Sequence, residues 1–563
     1  MKLVVIGGVA GGATATARAR RLNEEAEIVV FERGEYISFA NCGLPYYIGE
    51  VIPERDDLLV TTADAFKSRY NIDIRLFTEI TAIDRNEKTV TAQNHQTGET
   101  YTETYDKIIL SPGAESVRPP FPGMSSDNIF NLRDIPDSDR IKAYVDKQSP
   151  KAAVVVGGGF IGLEMAENLS FRGAKTTIVE KMEQVMPAMD YEMAGLMHAH
   201  LKEKGVDLIL GDGIEAFENT NGRLLVRTEK GETLECDLVI LSIGVKPECR
   251  LARDAGLEIG ELGGVKVAAT MQTSDTDIYA VGDAVEVTDF LTGHATMTPL
   301  AGPANKQGRI AADNVMGRRS IFRGSLGTSV VKIFEQTVAS TGANEKMLTR
   351  HNIPFVASYS HSGSHASYYP GAEMMAVKLL LSPSTGKILG AQIVGGEGVD
   401  KRIDVFATAI HGAMTVFQLE ELELAYAPPY GSAKDPVNIA GFVASNLLKG
   451  DVRKINWNEF SELDPETDVL IDLRNKDELE ETGKIEGALH IPLDELRDNL
   501  AGLDRNKRYI TFCAIGLRGY IGYRILVQHG FDARNLSGGY KTFLGAKEKI
   551  MKESPYTPIW VGE

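Results

Sequence analysis

The chain has 563 residues of ordinary composition, 43% hydrophobic and 25% charged, with a formal net charge of −18. Such a length predicts three or four domains, and the composition excludes a disordered, collagen-like or coiled-coil protein. The acidic balance argues against nucleic acid and anionic membranes as partners, and no apolar run approaches the ~18 residues of a membrane span. Four cysteines are too few for a disulfide scaffold and indicate a reducing compartment, which we take to be the cytoplasm.

The first residues of the chain predict a βαβ unit. Residues 3–6 and 27–31 predict strands and residues 13–23 a helix, with the run Gly7-Gly8-Val9-Ala10-Gly11-Gly12 at the first turn. Glycines there permit a tight turn and let a pyrophosphate approach the backbone at the helix N-terminus. Glu32 ends the second strand, where an acidic side chain commonly binds a ribose hydroxyl.

A second copy of this pattern begins with a strand over residues 152–156. The run Gly157-Gly158-Gly159-Phe160-Ile161-Gly162 fits the dinucleotide-binding fingerprint in full, and Glu180 ends the following strand. A carboxylate at that position binds the adenosine ribose and repels a 2′-phosphate, so we expect NADH rather than NADPH. Lys181 beside it leaves NADPH possible.

The remaining elements divide the chain further. Residues 238–243 and 278–281 predict strands that end in glycine, and residues 399–415 predict a helix that follows several short strands. A charged stretch then reads as a linker to a last α/β segment. The sequence thus predicts an α/β protein. Residues 1–111 together with 253–321 form one predicted Rossmann-like unit, and residues 112–252 form a second. An α+β domain over residues 322–446, a linker over 447–454 and an appended α/β domain over 455–563 follow.

Two further motifs resemble those of flavoproteins with two dinucleotide-binding domains. Ser111-Pro112-Gly113-Ala114 is similar to their connecting motif, and Ile278-Tyr279-Ala280-Val281-Gly282-Asp283 to their second FAD motif. The resemblance implies that FAD binds the first unit and NADH the second. The implied FAD residues are Gly7, Gly8, Ala10, Gly12, Glu32, Arg33, Ser111, Pro112, Gly113, Asp283 and Ala301. The implied NAD residues are Gly157, Gly159, Ile161, Gly162, Glu180 and Gly244.

The loop Ser38-Phe39-Ala40-Asn41-Cys42-Gly43-Leu44-Pro45-Tyr46 carries one cysteine, and the next in the chain is Cys236. A lone cysteine cannot close an intramolecular disulfide, but it can form a mixed disulfide with a small thiol, or a sulfenic acid. With the first glycine run, this loop resembles the coenzyme A disulfide reductases. These are single-cysteine flavoproteins related to NADH oxidases and NADH peroxidases.

The resemblance covers about residues 1–448 and includes His365-Ala366-Ser367-Tyr368-Tyr369-Pro370 and Leu424-Ala425-Tyr426-Ala427-Pro428. In that family one tyrosine from each motif reaches across a homodimer toward the partner's cysteine. This implies Tyr368 and Tyr426, with Tyr369 a close competitor of Tyr368. The oxidase and peroxidase relatives carry a histidine where this chain has Ala10, which disfavours peroxide and oxygen. The implied CoA-binding residues are Arg18, Arg21, Ser38 and Asn41.

The appended domain contains Phe512-Cys513-Ala514-Ile515-Gly516-Leu517-Arg518 between a predicted strand and a predicted helix. Backbone N–H groups around such a cysteine, with the helix N-terminus behind them, stabilise a persulfide anion. Tyrosine phosphatases need one residue more between cysteine and arginine, so the shorter loop suits sulfur. The segment resembles a rhodanese domain, which implies that Cys513 carries sulfane sulfur and that Arg518 takes part in catalysis.

These parts together predict an NADH-dependent flavoprotein that reduces CoA persulfide or polysulfide, and CoA disulfide. A plain CoA-disulfide reductase, an NADH oxidase or peroxidase, and a sulfur-trafficking or redox-sensing protein with little turnover remain alternatives. The tyrosine motifs imply a homodimer. We expect no metal, since the histidines lack partners at metal-binding spacing.

Overall fold

The described residues 1–220, 223–553 and 558–559 of a computed structural model form two compact units. One contains Met1–Lys181 and Asp212–Gly327, and the other contains Met182–Gly211 and the chain from Thr328 onward. Both consist of sheets with helices, which confirms the predicted α/β class. Among the described residues, no helix is both long enough and apolar enough to cross a bilayer.

The first glycine run leaves the central strand of a five-stranded parallel sheet. Lys2–Ile6 pairs with Glu27–Phe31 on one side and with Lys107–Leu110 on the other. All but the first residue of the central strand are buried, as expected for a parallel strand between helices. The strands across the sheet are, in order, Ile278–Ala280, Lys107–Leu110, Lys2–Ile6, Glu27–Phe31 and Asp73–Arg75.

Glycines let two helices of this region approach closely. Ala10–Leu22 begins directly after the glycine run and packs against Ala301–Val315. A Cβ atom at Gly308 would lie 2.3 Å from the carbonyl oxygen of Gly11, which is closer than such atoms approach. The glycines therefore allow the helix spacing that positions the start of the first helix.

The second glycine run occupies the same place in a second parallel sheet. Ala152–Val156 pairs with Lys175–Glu180 and with Leu238–Leu241, so the repeat seen in the sequence is present in the fold. The strand predicted over residues 238–243 ends earlier, at Leu241, because the chain turns toward Gly244, whose φ is +108°. Four strands of this sheet follow the order Lys175–Glu180, Ala152–Val156, Leu238–Leu241 and Ile129–Asn131, and the helix after the glycines is Phe160–Phe171.

Antiparallel strands and short helices complete the first unit. Two three-stranded meanders consist of Thr78–Asp84, Thr89–Asn94 and Thr100–Thr104, and of Ile214–Thr220, Arg223–Thr228 and Thr233–Cys236. The other strands are Ala114–Ser116, Val245–Pro247, Val265–Lys266, Val285–Thr288 and Ala295–Thr296. The other α-helices are Leu44–Ile48, Ala63–Tyr70, Ile135–Gln148 and Arg250–Asp254.

A five-stranded antiparallel sheet forms the first part of the second unit. The helix predicted over residues 399–415 ends at His411, and a new helix begins after Thr415, whose side chain caps it. The strands across this sheet are Ser329–Ile333, Gln336–Gly342, Ile388–Gly395, Met374–Leu381 and Val356–Gly363. This region also contains the strand Asp207–Leu210 and the helices Tyr191–Glu203, Glu345–Arg350, Val399–His411, Val416–Glu420 and Pro436–Leu448.

A buried lysine holds three carboxylates together in this unit. The ammonium of Lys378, which is fully buried, lies 2.9 Å from Asp190, 2.5 Å from Glu192 and 2.8 Å from Glu345. The carboxylate spacing alone resembles that of a metal site. Because a lysine ammonium already lies among the three, the cluster is a charge network within the core.

A separate parallel sheet forms the C-terminal part of the second unit. The helix Pro436–Leu448 and the strand Lys454–Ile455 leave residues 449–453 between them. The sheet order is Lys454–Ile455, Asp532–Leu536, Arg508–Phe512, Asp468–Asp472 and Leu489–His490. Its α-helices are Lys476–Thr482, Leu496–Asn499, Leu517–Gln528, Gly539–Gly545 and Lys547–Glu553, and Lys484–Ile485 pairs with Pro558–Ile559.

Candidate functional sites

The first glycine turn requires glycine at two positions. Gly7 has a φ of +96°, and a Cβ atom there would lie 2.1 Å from the carbonyl oxygen of Ser111. At Gly12, a Cβ atom would lie 1.8 Å from the carbonyl oxygen of Gly7. The N–H of Gly8 donates to a carboxylate oxygen of Glu32 at 2.8 Å. The turn, the acidic strand end and the Ser111 motif therefore lie together, as the sequence predicts.

A cavity extends from this turn. The amide oxygen of Asn41 is buried beside it and has no hydrogen-bond partner among the described residues. Arg133 also lines the cavity and lies 3.8 Å from the carboxylate of Asp283. An unsatisfied buried acceptor and glycines that leave the backbone accessible fit a large polar ligand such as FAD. Of the predicted FAD residues, the cavity is lined by Gly7, Glu32, Arg33, Ser111, Pro112 and Gly113. Gly8, Ala10 and Gly12 belong to the turn and the start of its helix, and Ala301 begins the neighbouring helix.

The second glycine turn repeats this geometry. Gly157 has a φ of +105°, and a Cβ atom at Gly162 would lie 1.9 Å from its carbonyl oxygen. The N–H of Gly158 donates to a carboxylate oxygen of Glu180 at 2.7 Å. Lys181, the neighbour of Glu180, forms a 2.8 Å ion pair with Glu229. Of the other predicted NAD residues, Gly159 precedes the helix, Ile161 lies exposed in its first turn, and Gly244 lies beyond the strand Leu238–Leu241.

Cys42 lies in a short turn before the helix Leu44–Ile48, and its side chain is exposed. Crowding by surrounding protein atoms, and the nearby carboxylates of Glu164 and Asp283, raise the pKa of the thiol. Glu164 comes from the helix after the second glycine turn, and its carboxylate accepts a 3.4 Å hydrogen bond from the Tyr46 hydroxyl. Burial raises the pKa of Glu164 to about 7. An acid that titrates near neutrality therefore lies in the electrostatic environment of the thiol.

Sequence reasoning assigned no role to Glu164 or Tyr46. Glu164 lies two residues after Gly162, and Tyr46 lies four residues after Cys42. Their contact joins the two dinucleotide units, and a local pattern in either unit does not indicate it. The close approach of Gly49 to Asn168, where a Cβ atom would lie 1.9 Å from the amide oxygen, brings the same two helices together.

The predicted CoA residues lie near the first helix and the cysteine loop. Arg18 donates to Asp313 at 2.7 Å, while Arg21 is exposed. Ser38 has a left-handed φ of +49° and donates its N–H to Gly8 at 3.1 Å. Arg20 lies between these two arginines on the first helix, but its guanidinium is buried and donates to four backbone carbonyl oxygens. Arg20 therefore stabilises the fold.

The two predicted tyrosines form a pair in the second unit. The hydroxyl oxygens of Tyr368 and Tyr426 share a hydrogen bond of 2.7 Å, and the side chains are 73% and 47% exposed. That hydrogen bond raises the pKa of Tyr368. Tyr369 instead packs its ring edge-on against His365, with centroids 5.6 Å apart. The geometry therefore distinguishes Tyr368 from its neighbour.

Cys513 lies at the carboxyl end of the strand Arg508–Phe512 and is buried. Its sulfur accepts a 3.2 Å hydrogen bond from the N–H of Gly516, whose φ is +104°. Gly539 supports the loop from behind, where a Cβ atom would lie 2.5 Å from the carbonyl oxygen of Cys513. Arg518 follows in the first turn of the next helix. The loop therefore directs the N–H of Gly516 at the sulfur.

The two remaining cysteines and the histidines His198 and His361 belong to the core. Cys236 and Cys249 are buried. His198 accepts a hydrogen bond from the N–H of Val185, and burial lowers its pKa to about 4. Burial likewise lowers the pKa of His361, which hydrogen-bonds Thr542, to about 3. These histidines are therefore neutral at physiological pH.

Three family models match this chain in succession. The model for pyridine nucleotide-disulphide oxidoreductases matches residues 1–308, and the model for their dimerisation domain matches residues 328–435. The model for rhodanese-like domains matches residues 457–546.

Individual relatives cover most or all of the chain. A coenzyme A disulfide reductase from Staphylococcus haemolyticus is 37% identical over 79% of this chain and 100% of its own length. The crystal structure of reduced Bacillus anthracis CoADR-RHD is 50% identical with a TM-score of 0.94, covering 97% of this chain and 98% of that one. A NAD-dependent persulfide reductase from A. fulgidus is 38% identical with a TM-score of 0.91, covering 96% of this chain and 100% of that one.

Proposed function

Because this chain belongs to the pyridine nucleotide-disulphide oxidoreductase family and carries a rhodanese-like domain, we propose that it is an NADH-dependent reductase of CoA persulfide and CoA disulfide. Residues 1–111 and 253–321 would bind FAD, and residues 112–252 NADH. Residues 322–446 would form a homodimer, followed by a linker over 447–454 and the rhodanese domain over 455–563. The cytoplasm, as a reducing compartment, suits four free cysteines.

The observation that carries the proposal is the isolation of Cys42. The chain has four cysteines, and the two that are neither Cys42 nor Cys513 are buried in the core. An exposed thiol without a resolving partner is suited to exchange with a thiol or sulfane sulfur from outside the chain, and Ala10 in place of the oxidase and peroxidase histidine disfavours the alternative, a sulfenic acid formed with peroxide. The coenzyme A and persulfide named for its relatives supply such sulfur.

FAD and NADH would bind at the two glycine turns. When bound, FAD accepts a hydride from the nicotinamide and supplies the two electrons that reduce a disulfide. Glu32 and Glu180 would exchange their glycine N–H contacts for ribose hydroxyls, as acidic side chains do at these positions. The ion pair of Lys181 with Glu229 supports NADH over NADPH, because it satisfies a cation that could otherwise attract a 2′-phosphate.

Cys42 would perform the sulfur chemistry. Its thiolate attacks the sulfur attached to CoA in CoA persulfide, forming a Cys42–S–S–CoA disulfide and releasing hydrosulfide. Two electrons and a proton then restore the Cys42 thiolate and release CoA thiol. CoA disulfide enters the same cycle, with CoA thiolate as the leaving group. Arg18, Arg21, Ser38 and Asn41 would hold CoA.

The hydroxyls of Tyr368 and Tyr426 would reach the partner's cysteine across the dimer. In such a hydrogen-bonded pair, one phenol would donate its proton to the departing thiolate, and the second would hold the first in position. The exposure of both side chains supports this role, because a side chain that contacts a partner subunit is exposed when one chain is considered alone.

Cys513 would accept sulfane sulfur from a donor and pass it to CoA, which supplies the persulfide for Cys42. Arg518 and the loop N–H groups would stabilise the anion of the Cys513 persulfide. We include polysulfide among the donors of this sulfane sulfur.

The coenzyme A disulfide reductase of S. haemolyticus, which covers 79% of this chain, favours a second candidate function, disulfide reduction in thiol homeostasis. Anaerobic NADH consumption with each substrate distinguishes the two. We expect kcat/KM for CoA persulfide to exceed that for CoA disulfide by about tenfold or more, roughly 1.4 kcal/mol of discrimination. A preference for the disulfide would support thiol homeostasis instead.

A further inference from the structure

The charge of Arg518 is already neutralised by a carboxylate at the rhodanese loop. Its two terminal nitrogens donate to the two oxygens of Glu478, each at 2.6 Å. Pairing with Glu478 raises the pKa of Arg518 and lowers that of Glu478. Such a bidentate pair is among the stronger charge-assisted hydrogen-bond arrangements. The same guanidinium lies beside the sulfur of Cys513, so an anion bound there meets a cation whose charge the carboxylate already balances.

Glu478 is held in place by a second contact. It is the third residue of the helix Lys476–Thr482, and its carboxylate also accepts the N–H of Asn475 at 2.9 Å, closing a capping box. The helix N-terminus favours the negative charge there. The capping hydrogen bond holds the carboxylate of Glu478 in the position in which it pairs with Arg518.

Apart from Arg518, the side chains of the loop offer little to an anion. Ala514, Ile515 and Leu517 separate Cys513 from Arg518, and none of them carries a side-chain hydrogen-bond donor. Leu517 is 64% exposed, and Ile521, one turn further along the helix, is 36% exposed. This apolar surface suits the uncharged arm of a thiol.

We propose that Glu478 sets the donor specificity of the rhodanese site, excluding sulfonate-type donors such as thiosulfate and admitting persulfides carried on an uncharged thiol arm. The inference rests on the proposed function and deepens it. The pantetheine arm of CoA is such a carrier, and because thiol–persulfide exchange is reversible, a site that accepts CoA persulfide as donor also passes sulfur to CoA. The Cys513 thiolate attacks the terminal sulfur of R–S–SH, and R–S⁻ leaves. The product is the Cys513 persulfide, whose proton goes to solvent.

The test uses the full-length flavoprotein with Cys42→Ser, so that sulfur transfer depends on Cys513 alone and not on NADH turnover. Thiocyanate formation from cyanide is measured with thiosulfate, which leaves sulfite, and with CoA persulfide, which leaves CoA thiol. The rate of a Cys513→Ser protein is subtracted as background. Failure of NADH turnover at Cys42 would therefore leave this test unaffected.

Replacing Glu478→Gln removes the charge and keeps a hydrogen-bonding side chain. We expect kcat/KM for thiosulfate to rise about tenfold or more, mainly through a lower KM, while that for CoA persulfide changes less than about threefold. The matched control Glu480→Gln removes the same charge from the same helix, where Glu480 is exposed and pairs with Lys476 at 3.7 Å. It should leave both values unchanged. Adding Arg518→Gln to Glu478→Gln should abolish the gain.

A thiosulfate gain below about threefold in Glu478→Gln, or an equal gain in Glu480→Gln, would overturn the proposal. Equal use of both donors by the parent protein would overturn it too. Sulfate inhibition provides a measurement that needs no substitution at Glu478. Sulfate should compete weakly with CoA persulfide in the parent, and strong competition would contradict the assignment.

Discussion

The two reactive cysteines of this chain lie in opposite surroundings. Cys42 is exposed in a turn, faces carboxylates and has a raised thiol pKa. Cys513 is buried, accepts a hydrogen bond from the backbone N–H of Gly516 and lies beside Arg518. A thiol that must exchange with a bulky substrate needs access, whereas a persulfide carrier needs stabilisation of an anion. The different neighbours of the two thiols account for the two roles that we propose for them.

The largest expected effect separates the two cysteines. Cys42→Ser should retain FAD but lose NADH turnover with CoA persulfide by about 1,000-fold or more, since no other thiol replaces the nucleophile. Cys513→Ser should keep turnover with preformed CoA persulfide within about twofold. Anaerobic NADH oxidation and flavin absorbance measure both. Substantial turnover in Cys42→Ser would remove the distinction between the sites.

The tyrosine pair should contribute the next largest effect. Tyr426→Phe removes one hydroxyl of the 2.7 Å pair and keeps the ring. We expect kcat to fall about 10- to 100-fold, with little change in KM, because proton donation to the leaving thiolate is weakened. Tyr369→Phe, whose hydroxyl is outside the pair, is the matched control and should stay near the parent value. Equal losses in both variants would indicate a general effect of the interface.

The carboxylate beside Cys42 should give a smaller, pH-dependent effect. Glu164 has a pKa of about 7, so its negative charge appears as the pH rises through neutrality and opposes ionisation of the thiol. Alkylation of Cys42 by iodoacetamide should therefore be several-fold faster in Glu164→Gln than in the parent above pH 7, and nearly equal at pH 6. The ratio of rates against pH measures this. A ratio that does not vary with pH would mean that Glu164 does not act on Cys42 through its charge.

Coenzyme preference should show the smallest effect. Glu180→Ala removes the carboxylate that faces the ribose position, so the preference for NADH over NADPH should decrease by about tenfold or less, through KM. Glu229→Gln would release Lys181 from its ion pair and should decrease the preference further when combined with Glu180→Ala. An unchanged ratio of kcat/KM values in the double variant would refute the assigned role of Glu180.

The parts of these sites that can be predicted from the sequence are those formed by one short continuous segment. The glycine turns, the loop around Cys42 and the loop around Cys513 each lie within one short segment whose steric demands are visible in its residues. Glu478 and Arg518 are 40 residues apart, and Glu164 meets Tyr46 across two domains, so no local pattern indicates either pair. The ion pairs of Lys378 with Asp190 and Glu345 also join residues that are far apart in the sequence. Helix ends are harder to predict. The helix that ends at His411 stops before Ala413, whose φ is a left-handed +54°, and Thr415 then caps a separate helix.

The most direct test of the division between the two cysteines is to mix the oxidised flavoprotein with two equivalents of CoA persulfide per chain, without NADH. The mixture is quenched with alkylating agent, and the modified peptides are identified by mass spectrometry. The account predicts that Cys42 carries CoA in a mixed disulfide and that Cys513 carries one added sulfur atom. CoA attached to Cys513, with Cys42 unmodified, would contradict it.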